Sequence, residues 1–205
     1  MSWFSRRALP TFEEHVKPRF AGKPTCYLEI GVWKGDSLEW MLSNVLTHDD
    51  SLAVAVDPWA EIGRRHRQDE MDSHYEMALA RVQQYGPKCQ VFRCCSSRWL
   101  RQNGEAWSNR FDMIHIDGDH TAVACLDDIV LSWPLLKVGG MLLIDDYKTC
   151  RGNYVKTAVD AVMPTVFAPY VEQIVDAGRV GYLKTGDVLL TTTDTDGNNR
   201  IGLPT

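Results

Sequence analysis

Four residues at the ends of two short apolar runs carry the clearest chemistry in the chain. Asp117 and His120 close the run Phe-Asp-Met-Ile-His-Ile-Asp-Gly-Asp-His (111–120), and Asp145 and Asp146 close Gly-Gly-Met-Leu-Leu-Ile-Asp-Asp (139–146). If the two runs are neighbouring strands of one sheet, their ends deliver three carboxylates to one place. Nearby anions repel unless a positive charge offsets them. A hard divalent cation with oxygen ligands does this, and Mg2+ with retained waters suits carboxylates. His120 lies on the loop leaving the first run, where a neutral imidazole could take a proton from an activated hydroxyl. The alternative is that these are turn-forming and helix-capping aspartates. It accounts well for Asp119 and for one of the Asp145–Asp146 pair, and poorly for the whole set. His115, inside its run, reads as a satisfied core residue.

A second group lies upstream, in Glu29-Ile-Gly-Val-Trp-Lys-Gly-Asp-Ser37. Gly31 and Gly35 let the backbone turn tightly and approach a ligand. A helix beginning there presents free N–H groups and the positive end of its dipole, which suits a carboxylate or phosphate. The spacing is neither the GxGxxG of dinucleotide sites nor a Walker loop. Glu29 is a poor neighbour for phosphate and a good one for an ammonium group. A ligand with both a carboxylate and an amine, such as the methionine part of S-adenosylmethionine, fits both ends. An ordinary strand–turn–helix connection fits the loop alone equally well. Asp57, 26 residues after Gly31, stands where an acid commonly grips ribose hydroxyls; on its own it could simply open an Asp-Pro turn with Pro58. Together the two features favour a nucleoside.

These residues need strands that end beside one another. Short apolar runs alternate with amphipathic stretches, a pattern that predicts an α/β fold with a Rossmann-like, doubly wound, mainly parallel sheet and a β-rich C-terminal hairpin. Strands are expected over 25–30, 51–57, 90–95, 111–117 and 141–145, the last after a turn at Gly139–Gly140. Helices are expected over 37–46, capped by Asp36 or Ser37, and over 70–84, 121–132 and 154–162. Residues 170–193 read as β-rich, with a hairpin turn at 184–187. The last dozen residues, with Gly197, Asn198 and Asn199, read as loose or surface-bound. The whole, 1–205, is expected to be one domain: an N-terminal helical or loop segment (1–24), a ligand-binding core (25–165) and a tail (166–205).

The totals bound the partners. The chain has 205 residues, 44% of them hydrophobic and 24% charged, with a formal net charge of −5. No basic stripe is present, so nucleic acid is not an expected partner. The cluster Arg64, Arg65, His66, Arg67 is followed by Asp69, Glu70 and Asp72, and reads as a solvated segment. The six cysteines, at 26, 89, 94, 95, 125 and 150, form no zinc-like spacing and fit reduced thiols. No signal-like or membrane-length apolar run occurs, and a cytoplasmic location is expected.

Glu-Ile-Gly-x-x-x-Gly-x-Ser, the Val-Asp-Pro strand end, Ile-Asp-Gly-Asp-His and Leu-Ile-Asp-Asp-Tyr together resemble the class I S-adenosylmethionine-dependent methyltransferases. The nearest branch is the metal-dependent small-molecule O-methyltransferases, which include catechol and macrolide-sugar O-methyltransferases. The resemblance covers residues 25–165. It implies that Glu29, Gly31, Gly35 and Ser37 line the cofactor loop, Ser37 holding the methionine carboxylate. It further implies that Asp57 holds the ribose, and that Ser96 lies at the adenine edge. Asp117, also beside the cofactor, would bind the metal with Asp145 and Asp146, and His120 would be the base. The implied cofactors are S-adenosylmethionine and Mg2+, and the implied substrate is a small hydroxylated molecule. Asp146 replaces the asparagine of the catechol branch, which makes the site more negative. Cys94–Cys95 replace the family's usual glycine and small or acidic residue, and Trp59 fits either an adenine stack or a core position. Rival readings are a metal-independent N- or C-methyltransferase, a non-catalytic nucleotide-binding domain and a dehydrogenase, the last disfavoured by the missing GxGxxG.

Overall fold

Strands whose side chains are apolar on both faces must be covered on both faces, and helices between successive strands do the covering. The computed structural model describes residues 3–60, 67–149, 152–187, 191–193 and 199–201. The parallel strands are β1 (Cys26–Ile30), β2 (Leu52–Asp57), β3 (Cys89–Arg93), β4 (Phe111–Ile116) and β5 (Leu136–Ile144). The main helices are α1 (Asp36–Asn44), α2 (Gln68–Val82), α3 (Ser96–Asn103), α4 (Ala122–Ser132) and α5 (Tyr154–Val162). β6 (Val171–Asp176) and β7 (Val180–Lys184) complete a seven-stranded sheet of order β3-β2-β1-β4-β5-β7-β6, in which β7 runs antiparallel to both neighbours. The strand order reverses between β1 and β4. In such sheets ligands bind beyond the carboxyl ends at that reversal.

The two faces follow from the two-residue period of the strands. Leu28, Ile30, Val54, Val56, Ile114 and Ile116 pack with Trp99 and Leu100 of α3, Ile129 of α4 and Val159 of α5. Tyr27, Ala53, Ala55 and Met113 pack instead with Leu38 and Met41 of α1, Met71 and Ala78 of α2, and Phe4, Phe12 and Val16. The last three belong to helical turns that run from Trp3 to Phe20, so the N-terminal segment covers the same sheet face as α1 and α2.

Several local expectations need correction. α1 begins at Gly35, which is left-handed (φ 80°) and offers no side-chain cap; neither Asp36 nor Ser37 is the cap. The Gly139–Gly140 pair is an irregularity inside β5 rather than a turn before it, where the β4–β5 register shifts. The hairpin turn lies at 177–179, closed by the Ala177 amide donating to the Arg179 carbonyl at 2.8 Å. Lys184 does not turn the chain: it ends β7, buried, and donates to the carbonyls of Trp133 (3.2 Å) and Leu136 (2.8 Å). Asn199–Ile201 is not loose but pairs with Thr191–Thr193. Gly197, Asn198, Cys150 and 64–66 lie outside the described residues. Among the described residues no helix is long and apolar enough to cross a membrane.

Candidate active site

The loop after β1 is held by backbone. Gly31 is left-handed (φ 85°), and a Cβ there would stand 2.0 Å from the carbonyl oxygen of Asp117. Gly31 is therefore the point where the loops leaving β1 and β4 touch, and a side chain would drive them apart. Asp57 ties the neighbouring strand end into the same assembly. Its Oδ2 accepts the amides of Val32 (2.8 Å) and Trp33 (3.0 Å), and its Oδ1 accepts the amide of Trp59 (2.7 Å). A carboxylate offers about four acceptor sites, so roughly one is left for a ligand hydroxyl. Trp59 is fully buried and packs against Tyr75 with tilted rings whose centroids are 4.8 Å apart; of its two readings, the core position holds.

Glu29 lies at the end of β1, fully buried. It accepts hydrogen bonds from the hydroxyls of Ser37 and, at 2.9 Å, Tyr27. Burial pushes its carboxyl up to about 7, with His115, Ser37 and Tyr27 pulling it back. Ser37 is therefore engaged with Glu29. Since no side chain caps α1, its first amides are available to an anion. Gly35 brings α1 against α2: a Cβ there would meet the Ala78 Cα at 3.1 Å. Ser96 opens α3 beside the buried Asp128. Burial raises the Asp128 carboxyl to about 6, and a hydrogen bond with Ser96 counters it.

The ends of β4 and β5 are held by charge. Asp117, His120 and Asp146 offer ligand atoms within 4.8 Å of one another, and so, as a second set, do His115, Asp117 and Asp145. Asp117 belongs to both. The three carboxylates expected to form one site are thus divided. His120 Nε2 lies 3.5 Å from Asp117 and 3.3 Å from Asp146, half-exposed. Asp117 raises the His120 imidazole above its ordinary range, Asp146 and Asp145 adding to this against burial. Burial, then Asp145, push the Asp117 carboxyl up to about 6.

Asp145 is almost fully buried and committed on both oxygens. Oδ1 accepts the amide of Asp146 (2.6 Å), and Oδ2 accepts Nε of Arg179 (2.8 Å). Burial opposes its ionisation, yet His115 and Arg179 hold the carboxyl below its usual range. Arg179 is itself buried and also donates to the carbonyl of Arg7 at 2.8 Å, which links the site to the N-terminal segment. His115 is buried as expected but not satisfied: Nδ1 is 3.4 Å from the Tyr27 hydroxyl, whereas Nε2 has no hydrogen-bond partner and lies 3.9 Å from Asp145. Asp119 takes the turn-forming part, accepting the Thr121 amide at 2.7 Å.

The donor set suits the groups the resemblance implies. Asp117 and Asp146 are partly exposed oxygen donors that leave room for water around a hard cation. Glu29, the uncapped start of α1 and the remaining valence of Asp57 suit an ammonium, a carboxylate and a ribose at one strand reversal. Reading the sequence missed Arg179 and Asp128. Gly178 marks a turn before Arg179, but nothing local shows that its side chain reaches Asp145, 34 positions upstream. The placement of Asp128 on the buried side of α4 follows from helical spacing with Cys125, Ile129 and Ser132, which was the available signal.

A methyltransferase-domain family profile matches residues 28–147, more than half of the chain. The chain belongs to the methyltransferase family. Its fold is that of the class I, S-adenosylmethionine-dependent methyltransferases. Structural similarity extends to the O-methyltransferase NovP, at 20% identity over 86% of this chain and 77% of that one, with a TM-score of 0.58. The methyltransferase MycE of the mycinamycin pathway, solved with Mg, SAH and mycinamycin VI, gives 14% identity and a TM-score of 0.60 over 96% of this chain and 54% of that one. The present methyltransferase thus spans about half the length of MycE. An uncharacterised protein, R132, of Acanthamoeba polyphaga mimivirus is 22% identical over 167 residues, covering 79% of this chain and 72% of that one.

Proposed function

We propose that this methyltransferase transfers a methyl group from S-adenosylmethionine to a hydroxyl of a small molecule in the cytoplasm, assisted by a divalent cation such as Mg2+ and by His120 as base. The observation that carries the reading is the meeting of Asp117, His120 and Asp146 beyond the adjacent ends of β4 and β5, beside the Gly31–Asp57 assembly. The O-methyltransferase NovP supports the choice of oxygen as acceptor, and the MycE complex with Mg supports the cation.

When bound, the cofactor supplies a methyl carbon made electrophilic by a sulfonium, and the cation supplies charge that favours an oxyanion. The chain's residues do the rest. Glu29 faces the amine of the cofactor, the first amides of α1 its carboxylate, Asp57 its ribose and Ser96 its adenine edge. Asp117 and Asp146 hold the cation. His120 Nε2 accepts the hydroxyl proton, and the rigid loop contact at Gly31 fixes the approach of oxygen to methyl carbon.

One observation favours a second reading, a metal-independent methyltransferase of the same fold. Arg179 already neutralises Asp145, so part of the charge that calls for a cation is met by the protein. Calorimetry with S-adenosylhomocysteine and initial rates with a chelator decide between the readings. Binding to the wild type is expected, with activity lost in excess chelator and restored by Mg2+. No binding would remove the methyltransferase reading, and full activity in chelator would leave the metal-independent one.

A further inference from the structure

The division of the acids follows from one residue of the C-terminal hairpin. Asp117, Asp145 and Asp146 would carry three negative charges, one more than a divalent ion neutralises. Arg179 supplies the difference. Its guanidinium is buried, bonds Asp145 Oδ2 at 2.8 Å, and is braced by the Arg7 carbonyl at 2.8 Å. The other oxygen of Asp145 accepts the Asp146 amide at 2.6 Å. The third group facing Asp145, His115, is buried at 3.9 Å with its Nε2 unpartnered; like Arg179, it brings a nitrogen rather than an oxygen to the acid. Asp145 is thus surrounded by donors and lies 3% exposed, while the side chains of Asp117 and Asp146 are 21% and 17% exposed.

We infer that Arg179 is a positioning residue that occupies Asp145 as a built-in counterion, so that the divalent cation is held by Asp117 and Asp146 without Asp145. The inference rests on the metal-assisted reading above. Two carboxylates with retained waters are a sufficient protein share for Mg2+. Asp145 then acts through Arg179, tying the hairpin turn and the N-terminal segment to the end of β5. The variant that separates a counterion from a ligand is the neutral pair Asp145→Asn with Arg179→Gln, which removes both charges and leaves the local sum unchanged. Changing both partners together avoids the uncompensated buried charge that removing one partner of a buried ion pair leaves behind.

The test is Mn2+ binding by the full chain, followed by the loss of the free-ion electron paramagnetic resonance signal. The wild type and the double variant are expected to bind within about threefold of each other, and Asp146→Asn about tenfold or more weakly. Arg179→Gln alone should bind about tenfold more tightly, because the Asp145 charge is released toward the ion; loss of a merely structural contact would not tighten binding. A double variant that weakens as much as Asp146→Asn makes Asp145 a ligand and overturns the inference, whether or not the single Arg179 variant folds. A wild type that binds no Mn2+ overturns the metal reading and this inference together, and is distinguished because no variant contrast then exists.

Discussion

The two halves of the site are built by different means. On the β1–β2 side, Asp57 accepts three backbone amides and Gly31 lies against the backbone of Asp117. On the β4–β5 side, five titratable groups and a buried arginine hold one another by charge. A carboxylate that accepts backbone amides is held by groups whose positions the chain itself fixes, and has little freedom. Charge pairs draw on side chains from distant elements and respond to pH, to salt and to any ion that enters. The first construction suits a cofactor that must be seated the same way each time. The second suits a centre whose charge changes during the reaction.

The largest effect expected from breaking this contrast is at Gly31. Gly31→Val places side-chain atoms where the Asp117 carbonyl lies, since even a Cβ would stand at 2.0 Å. Strain and overpacking together should cost about 2–6 kcal/mol. Thermal melting should show the loss, and calorimetry should find no S-adenosylhomocysteine binding. An unchanged variant would mean that the two loops are not in contact as described.

On the charged side, His120→Ala should leave melting and cofactor binding near wild type and slow turnover by about a hundred- to ten-thousand-fold. Initial rates across pH are the measurement. The base must be neutral to accept a proton, and the neighbouring carboxylates raise its imidazole, so wild-type activity should climb on the alkaline side of the ordinary histidine range. A variant with unslowed turnover would remove the base.

Glu29 sharpens the comparison, because it is a charge problem on the backbone-built side. Its carboxyl ionises at about 7 when folded, against an ordinary value of 4.5. The unfolded chain therefore releases this proton first, and the group's contribution to stability is fully present below about 4.5 and lost as pH rises through about 7. Glu29→Gln should flatten that part of the stability–pH curve. At pH 8 the variant should be more stable than wild type by up to about 3 kcal/mol, yet bind S-adenosylmethionine more weakly for want of an anion facing its amine. Denaturant titrations at pH 5 and 8 give the slope, and equal slopes in both proteins would contradict the burial argument. The smallest effect is at Asp57: Asp57→Ala should weaken cofactor binding by about 1.5–3 kcal/mol while leaving Mn2+ binding within about threefold.

The same contrast explains what the sequence discloses. β1, β2, β4 and β5 and the acids at their ends are legible because a parallel strand is a local apolar run and its final residue is read directly. Gly31 and Asp57 were legible as a pair, although the partner that forbids a side chain at Gly31 is Asp117, far along the chain. α3 is not legible by periodicity: in eight residues it buries only Trp99 and Leu100. The segment 184–187 reads as a hairpin turn from sequence, whereas the buried carbonyls that hold the Lys184 ammonium come from Trp133 and Leu136, 51 and 48 residues upstream. Arg179 is the plainest instance. Its meaning depends on a partner 34 residues away and on the N-terminal segment, and no local pattern encodes either.

The most direct measurement of the central claim is nuclear magnetic resonance of the product formed from 13C-methyl-labelled S-adenosylmethionine, across a panel of hydroxylated small molecules, with Mg2+ and with excess chelator. A labelled methyl ether carbon is expected to appear with Mg2+ and to fail to appear in chelator. A labelled methyl on nitrogen or carbon, or a methyl ether formed at the same rate in chelator, would contradict that claim.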